Sequence, residues 1–338
     1  MQRCLELAKL GAGNVAPNPM VGAVLVYNDM IIGEGYHQQY GGPHAEVNCI
    51  NNVSEENVMN IPKSTLYVSL EPCSHFGKTP PCADLIIANK IPSVIIGCKD
   101  SYKEVAGKGI EKLETAGIDV EVGVLESEAK ELNKRFFMFH EKKRPFIILK
   151  WAQSADGKIA KADFSSVAIS NDQTNKLMHR WRSEEDAIMV GTNTALHDNP
   201  SLTTRHWPGK NPVRVVIDKK LSLPASLNLF DKKVRTIIFN NIKQEENENL
   251  SFYKIDDQED ILEQMLATLY QLKIQSIFVE GGAKLLQSFI DRELWDEVII
   301  ITNEALQIGE GIAAPKFVSP KLLATKKINS DKISFYKN

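Results

Sequence analysis

Pro43-His44-Ala45-Glu46, Pro72-Cys73 and Pro81-Cys82 bring one imidazole, one carboxylate and two thiols into the N-terminal third of a 338-residue chain. A catalytic zinc takes three protein ligands and keeps a fourth position open for water. His44, Cys73 and Cys82 supply a nitrogen and sulfur ligand set of that kind, which leaves Glu46 to carry protons. Water in the open position of such a site has its pKa lowered to about 7. A carboxylate beside it can take the proton and deliver it to a leaving group. The chemistry on offer is hydrolytic. Proline precedes each of His44, Cys73 and Cys82 and is favoured at the first helical position; thiols near a helix N-terminus ionise more readily, as zinc ligation requires. His44 and Glu46 are too close in sequence to share a helix face, so one is expected to face metal and the other substrate. The plainer alternative, two buried thiols and a surface acid, leaves the ordered recurrence of these residue types unexplained.

His-x-Glu followed by Pro-Cys-x-x-Cys is the signature of zinc deaminases, with the glutamate as general acid and base. Here the cysteines stand further apart, separated by Ser74-His75-Phe76-Gly77-Lys78-Thr79-Pro80-Pro81. Upstream, Pro17-Asn18-Pro19 fixes the chain around an amide that fits two roles. Asn18 can read a donor and an acceptor on a heterocycle, or it can cap a turn.

The elements that must position these residues alternate along the chain. Apolar periodicity predicts helices over 4–9, 44–50 and 82–89 and strands over 21–27, 65–70 and 94–98. A helix over 126–141 leads into the charged run Glu141-Lys142-Lys143-Arg144 before Pro145, which marks a domain junction. Strands then recur at 146–151, 187–190, 213–218, 236–239, 276–280 and 297–302, with helices near 171–183, 261–271 and 283–292. The polar run 243–249 reads as a surface loop. Both halves are expected to be α/β domains, and the length suits two of them.

Composition narrows the setting. A net charge of −3 provides no general basic field for nucleic acid. With 43% hydrophobic and 25% charged residues the chain has the balance of a soluble globular protein. No apolar stretch reaches membrane-span length, and Met1 opens on a polar segment without a signal-peptide pattern. Five cysteines, two of them placed as metal ligands, argue for a reducing cytoplasm and against a disulfide framework. Cys4, Cys49 and Cys98 sit among apolar neighbours and read as core thiols.

The unbroken run from Glu71 to Asp84, together with Asn18-Pro19-x-Val21-Gly22 and His44-Ala45-Glu46, resembles the bifunctional riboflavin-biosynthesis deaminase–reductases. Val105-Ala106-Gly107-Lys108-Gly109, Ser154-Ala155-Asp156-Gly157-Lys158, Asp198-Asn199-Pro200-x-Leu202-Thr203 and Glu280-Gly281-Gly282 extend the likeness over nearly the whole chain. The resemblance implies a cytidine-deaminase-like domain over 1–144, followed by a dihydrofolate-reductase-like domain over 145–338. It implies one Zn2+ per chain and NADPH as cofactors, and phosphoribosyl pyrimidines as substrates. The first domain would remove the 2-amino group of 2,5-diamino-6-(5-phosphoribosylamino)pyrimidin-4-one as ammonia. The second would reduce 5-amino-6-(5-phosphoribosylamino)uracil to its ribityl product. Glu46 and Asp198 would be catalytic, and Asn18, His37 and Lys78 would hold the deaminase substrate, Lys78 at its phosphate. For His37 the sequence leaves a second role open, a polar residue closing a turn at Gly35.

On the reductase side the resemblance places Ala152, Ser154, Ala168, Thr194, Asp198 and Lys219 at the cofactor, with Gly282, Ala283, Lys284, Leu285, Leu286, Gln287 and Ser288 beside them. Lys150, Ser166, Ser170, Arg182, Leu202, Arg205 and Glu280 would face the substrate. Bottom-up, Gly281-Gly282 follows an apolar strand and opens a helix, where bare N–H groups can approach a pyrophosphate; two glycines also make a tight turn. The absence of Gly-x-Gly-x-x-Gly speaks against a Rossmann domain. Arg182 and Arg205 have the charge and fork geometry for phosphate, or belong to a solvated surface.

This chain departs from the family pattern in three places. Ala168 stands where an aromatic residue, usually Trp, is common, so one wall of the cofactor site is expected to be rebuilt. Ser101-Tyr102-Lys103-Glu104 replaces the usual Pro-Asn-Pro-x, so that loop's contacts are expected to differ. The first helix is shorter than usual, and residues 1–11 are expected to be marginal. Two other classes share the zinc signature. A nucleic-acid deaminase with 145–338 as an RNA-binding module would want a basic, aromatic-rich stripe, which is missing. A structural zinc site would want a fourth protein ligand where Glu46 stands. A homo-oligomer is compatible with the sequence; contact with nucleic acid or membrane is not expected.

Overall fold

Val24, Leu25, Leu66, Val68, Val94 and Ile96 are all buried, and the strands they belong to form the centre of a five-stranded sheet, the first of three among the described residues. The structure is a computed structural model that describes residues 1–76, 80–101, 106–165, 167–318 and 321–338. Lys78 and Ser166 lie outside the described residues, as do 102–105 of the loop expected to differ from the family. The chain divides into two compact units, Met1–Lys143 and Arg144–Asn338.

The first unit runs α1 (Gln2–Lys9), β1 (Gly22–Tyr27), β2 (Met30–Tyr36), α2 (Ala45–Asn51), β3 (Thr65–Leu70), α3 (Cys82–Ala88), β4 (Ser93–Cys98), α4 (Lys108–Thr115), β5 (Asp119–Val122), α5 (Glu126–Leu132) and α6 (Lys134–Lys142). The sheet order is β2-β1-β3-β4-β5. β1 and β2 form a hairpin whose turn residues Asn28 and Asp29 take φ of 48° and 58°, the left-handed pair that a tight hairpin needs. β3, β4 and β5 are mutually parallel, so α3 and α4 serve as crossovers. The short first helix is formed, contrary to the expectation of a marginal segment. It buries Cys4, Leu5, Leu7 and Ala8, and tertiary packing supplies the stability that its length does not.

The single helix expected over 126–141 is two helices. Asn133, only 2% exposed, interrupts them with φ −104° and ψ 21°. Its Oδ1 accepts the Met20 N–H at 2.8 Å, and its Nδ2 donates to the Met20 carbonyl at 2.9 Å. The break thus clasps the backbone just after Asn18 from far along the chain.

The second unit runs β6 (Phe146–Ser154), β7 (Lys158–Lys161), α7 (Asp172–Glu184), β8 (Ala187–Val190), α8 (Thr192–Asp198), β9 (Val213–Ile217), β10 (Thr236–Asn240), β11 (Leu250–Lys254), α9 (Ile261–Gln271), β12 (Ser276–Gly281), α10 (Ala283–Asp291), β13 (Glu297–Asn303), β14 (Gly311–Ala313), β15 (Leu322–Ile328) and β16 (Asp331–Lys337). A nine-stranded sheet takes the order β11-β10-β9-β8-β12-β6-β13-β16-β15. It is parallel from β11 to β13 and antiparallel through β16 and β15. Both faces of its parallel part are covered. Val215 and Ile237 point into one apolar cluster, and Val216 and Ile238 into another. The run 243–249 is a loop, pinned by an isolated bridge between Glu245 and Phe252. Among the described residues no helix is long and apolar enough to cross a membrane.

Candidate functional site

The first unit gathers its chemistry at the starts of two helices and the end of one strand. His44 caps α2 from outside, and Glu46 lies in that helix's first turn. Cys82 opens α3 behind Pro81, which is the cap residue itself. Cys73, expected near a helix start, instead lies in an irregular stretch after β3. The metal-ligand atoms of His44, Cys73 and Cys82 all fall within 4.8 Å of one another. His44 Nδ1 stands 3.5 Å from Cys73 Sγ and 3.3 Å from Cys82 Sγ. Ligands on a tetrahedral zinc, at bond lengths of about 2.1 and 2.3 Å, stand about 3.6 Å apart. The donor set and its spacing therefore fit zinc. Hydrogen bonding from Cys82 holds the Cys73 thiol well below its ordinary range, with His44 assisting. Cys82, hydrogen-bonded to that thiolate and buried, is pushed up. Cys4, Cys49 and Cys98 are buried, as core thiols would be.

Glu46 is 3% exposed. Burial raises its carboxyl to about 7, and the neighbouring Cys73 charge adds to the effect. A carboxyl held there exchanges protons readily at neutral pH.

Asn18 and His37 form one unit. His37 Nδ1 lies 2.9 Å from the Pro43 carbonyl, an acceptor, so this nitrogen carries the proton. Its Nε2 is then the acceptor for Asn18 Nδ2 at 3.1 Å. Burial pushes the imidazole pKa down, consistent with a neutral ring. The Asn18 amide is thereby oriented by its Nδ2. Gly35 is in strand β2 and not in a turn, and α2 packs on it so closely that a Cβ would meet Cys49 N at 2.2 Å.

In the second unit Arg182 and Glu280 form a buried two-pronged ion pair, with Nε and Nη2 each 2.6 Å from a carboxylate oxygen. Nη1 reaches the Thr203 carbonyl at 3.2 Å. Burial pushes the Glu280 carboxyl up, but Arg182 and Lys150 overcome it and hold it below the usual range. Lys150 is 6% exposed, donates to the Met178 thioether at 2.9 Å, and has its pKa lowered by burial. Much of the Arg182 fork thus binds protein acceptors, whereas Arg205 is exposed. Replacing Arg182 with Met should leave Glu280 buried without its main partner, at a cost of about 3–5 kcal/mol. All four tryptophans belong to this unit, so denaturation followed by their fluorescence reads the change. A loss below about 1 kcal/mol, the scale of an exposed pair, would contradict the buried assignment.

A glycine-lined cradle lies at the start of α10. Gly282 caps that helix without a side chain, and a Cβ on it would meet Thr194 Oγ1 at 3.0 Å. Gly191 N–H donates to the Gly281 carbonyl at 2.9 Å, bringing the start of α8 alongside. Free backbone N–H groups of α10 can meet a dinucleotide's pyrophosphate there, so this cradle fits a nicotinamide cofactor. The expected cofactor set is only partly gathered. Ala152 is partly exposed and Ala168 exposed. Ser154 is buried, with its hydroxyl donated to Asp156 at 2.6 Å and accepting from Lys158 N at 3.0 Å. Leu285 and Leu286 belong to the apolar core. Gln287 pairs with Asp291, and Ser288 donates to the Lys284 carbonyl. Lys219 is ion-paired with Asp257 at 2.7 Å, and Ala283 and Lys284 open α10. Asp198 ends α8 on an exposed surface, its carboxyl held above the ordinary range by partial burial. Leu202 is buried and Ser170 half-buried. Met178, Thr203, Asn133 and Glu71 carry structural weight that sequence reasoning missed.

Comparison with known proteins matches both units. Residues 145–332 match the RibD C-terminal domain, and residues 1–98 match the cytidine and deoxycytidylate deaminase zinc-binding region. The riboflavin biosynthesis protein RibD of Aquifex aeolicus is 39% identical, over 100% of this chain and 97% of its own. That of Escherichia coli is 34% identical over 96% and 88%. A Thermotoga maritima diaminohydroxyphosphoribosylaminopyrimidine deaminase/5-amino-6-(5-phosphoribosylamino)uracil reductase superposes with a TM-score of 0.90 at 38% identity, covering 100% of this chain and 97% of that one. Acinetobacter baumannii RibD gives 0.88 at 31% identity, covering 99% and 97%. A cytidine-deaminase-like zinc-binding domain therefore precedes a reductase domain, a pairing that calls for zinc and a nicotinamide cofactor. The chain belongs to the RibD family of riboflavin-biosynthesis proteins and is a bifunctional deaminase and reductase.

Proposed function

We propose that residues 1–144 hydrolyse the 2-amino group of 2,5-diamino-6-(5-phosphoribosylamino)pyrimidin-4-one, and that residues 145–338 reduce the resulting 5-amino-6-(5-phosphoribosylamino)uracil with NADPH. In the first step the exocyclic bond between ring carbon C2 and its amino nitrogen breaks, water supplies the oxygen that takes its place, and ammonia leaves. In the second the ribosyl group gains a hydride and a proton to become ribityl. The observation that carries the reading is His44, Cys73 and Cys82 converging beside the buried carboxyl of Glu46.

His44, Cys73 and Cys82 would hold one zinc per chain. When bound, zinc supplies the Lewis acidity that makes water a nucleophile at neutral pH. Glu46 takes the proton of the attacking water and hands it to the ring nitrogen and then to the departing amine. Asn18 reads the heterocycle through its amide; His37, buried and with both ring nitrogens engaged, acts by orienting Asn18. In the reductase, NADPH supplies the hydride and the protein supplies binding and orientation. Thr194 and Gly282 line the cradle, and Asp198 would serve the reaction from the far end of α8. Lys150, Arg182 and Glu280 form a polar wall for the substrate, and exposed Arg205 meets its phosphate. A reducing cytoplasm suits the unpaired thiols, and the net charge of −3 favours small-molecule partners over nucleic acid.

The test is ammonia release from the diaminopyrimidine, followed by loss of NADPH absorbance once the uracil has formed. Absence of ammonia release from zinc-loaded protein overturns the first half, and absence of hydride transfer overturns the second. Within the reductase, Asp198→Ala should lower turnover by about tenfold or more, equivalent to ~1.4 kcal/mol of barrier. Ala168 is exposed, so an indole there has room. Ala168→Trp should lower the KM for NADPH or leave it unchanged, because a ring buried against the cofactor adds apolar contact. A raised KM would mean that the indole obstructs the cofactor and that the alanine keeps the site open.

A further inference from the structure

Glu71 is 4% exposed and takes no part in the chemistry above. Its Oε2 accepts the N–H groups of Asp100 at 3.2 Å and Gly107 at 3.0 Å, and its Oε1 accepts that of Gly109 at 3.0 Å. Gly107 caps α4 and Gly109 lies in its first turn, so the carboxylate satisfies N–H groups that the helix cannot pair internally. The residue that follows Glu71 is drawn in with it. A Cβ on Gly109 would lie 2.0 Å from the Pro72 carbonyl, so only glycine lets α4 press on the Pro72–Cys73 peptide.

Cys73 is held from its other side by α3. Ala83 N–H donates to the Cys73 carbonyl at 3.1 Å, and Cys82 N–H to its Sγ at 3.3 Å. No strand or helix includes Cys73, so its position depends on these two first turns. We propose that Glu71 is a positioning residue of the metal centre: by fastening Pro72–Cys73 to α4 it sets Cys73 against His44 and Cys82. This rests on the reading that the three residues hold zinc. Partners beyond the ligands typically contribute 10–100-fold to metal affinity or activity. Here the contribution is delivered through the backbone that carries a ligand.

The experiment uses the full-length zinc-loaded chain and measures zinc release to a chromogenic chelator. A parallel assay follows the alkylation rate of Cys73 in zinc-free protein. Glu71→Gln keeps the side chain's size but sets an NH2 against at least one backbone N–H. Gly109→Ala disturbs the same peptide from the helix side. Ile110→Val loosens α4 through the core, where Ile110 is buried, without touching the clamp. We expect zinc release about 10–100-fold faster in Glu71→Gln, a change in the same direction in Gly109→Ala, and near wild-type release in Ile110→Val. Cys73 alkylation should change in the first two alone, with NADPH-dependent reduction intact in all three. Release from Glu71→Gln no faster than from Ile110→Val overturns the proposal. If Glu71→Gln does not fold, Gly109→Ala decides by the same comparison. Wild-type protein that takes up no zinc would instead overturn the zinc reading itself.

Discussion

Glu46→Gln is expected to retain about one zinc per chain, as a three-ligand site requires, while deamination falls by about 10²–10⁴-fold. The amide fills the volume of a side chain that is only 3% exposed, so the surrounding packing has no reason to change. What it loses is the ability to take a proton. In the wild-type chain burial holds that carboxyl at about 7; a bound cation would pull it back down, leaving a base ready for the attacking water. The measurement is ammonia release beside metal analysis on the same preparation. Near wild-type ammonia release would remove Glu46 from the proton path. Loss of zinc along with activity would mean that the carboxylate binds metal.

Cys82→Ser should have the larger structural consequence for the first unit, with zinc and deamination lost together. Binding energies for structural zinc sites run to about 10–16 kcal/mol at neutral pH, so removing one of three protein ligands forfeits a large share. Cys82 is fully buried and opens α3, where its backbone N–H also supports Cys73. The serine hydroxyl can keep the helix start but is a poor zinc ligand at neutral pH. Reduction of separately supplied uracil intermediate should continue, because the cradle at Gly282 and the Arg182–Glu280 pair lie wholly in the second unit. Protein that keeps a full complement of zinc and normal ammonia release would remove Cys82 from the ligand set. Loss of reduction as well would show that the metal centre supports both halves.

The deaminase centre was largely legible in the sequence because local signals mark each reactive residue, His44 and Cys82 at helix starts and Cys73 behind Pro72 just beyond a strand. Longer-range requirements were not legible. Asn133 interrupts an apolar pattern that continues across it, and only the position of Met20 shows why the helix must break there. Glu71 stood in plain view beside Pro72, but its work depends on amides at 100, 107 and 109. β2 carries two glycines, and β15 alternates no apolar face, since nearly all its residues are exposed; neither strand announces itself by period. In the reductase half, Ser154 and Leu286 match the family pattern, yet one spends its hydroxyl on a turn and the other fills the core. A matched position fixes where the backbone lies and not what the side chain does.

The strand order of the two large sheets sets different timetables for their completion during synthesis. In the first unit every pairing joins segments that emerge in quick succession, such as Ala23 with Val68 and Thr65 with Ser93. In the second, β6 is made first but belongs in the middle, where Phe146 pairs with Ser276 and Ile148 with Glu297. At translation rates of about 5–20 residues per second, its partners arrive on the order of ten seconds later. Until then Ile147, Ile148, Leu149 and Trp151, all buried at the end, have no sheet to enter. Such late, long-range pairing is slow and prone to aggregation. The first unit is thus expected to close and capture its metal while the ribosome is still delivering the second, whose nascent apolar strand is the segment most in need of a chaperone.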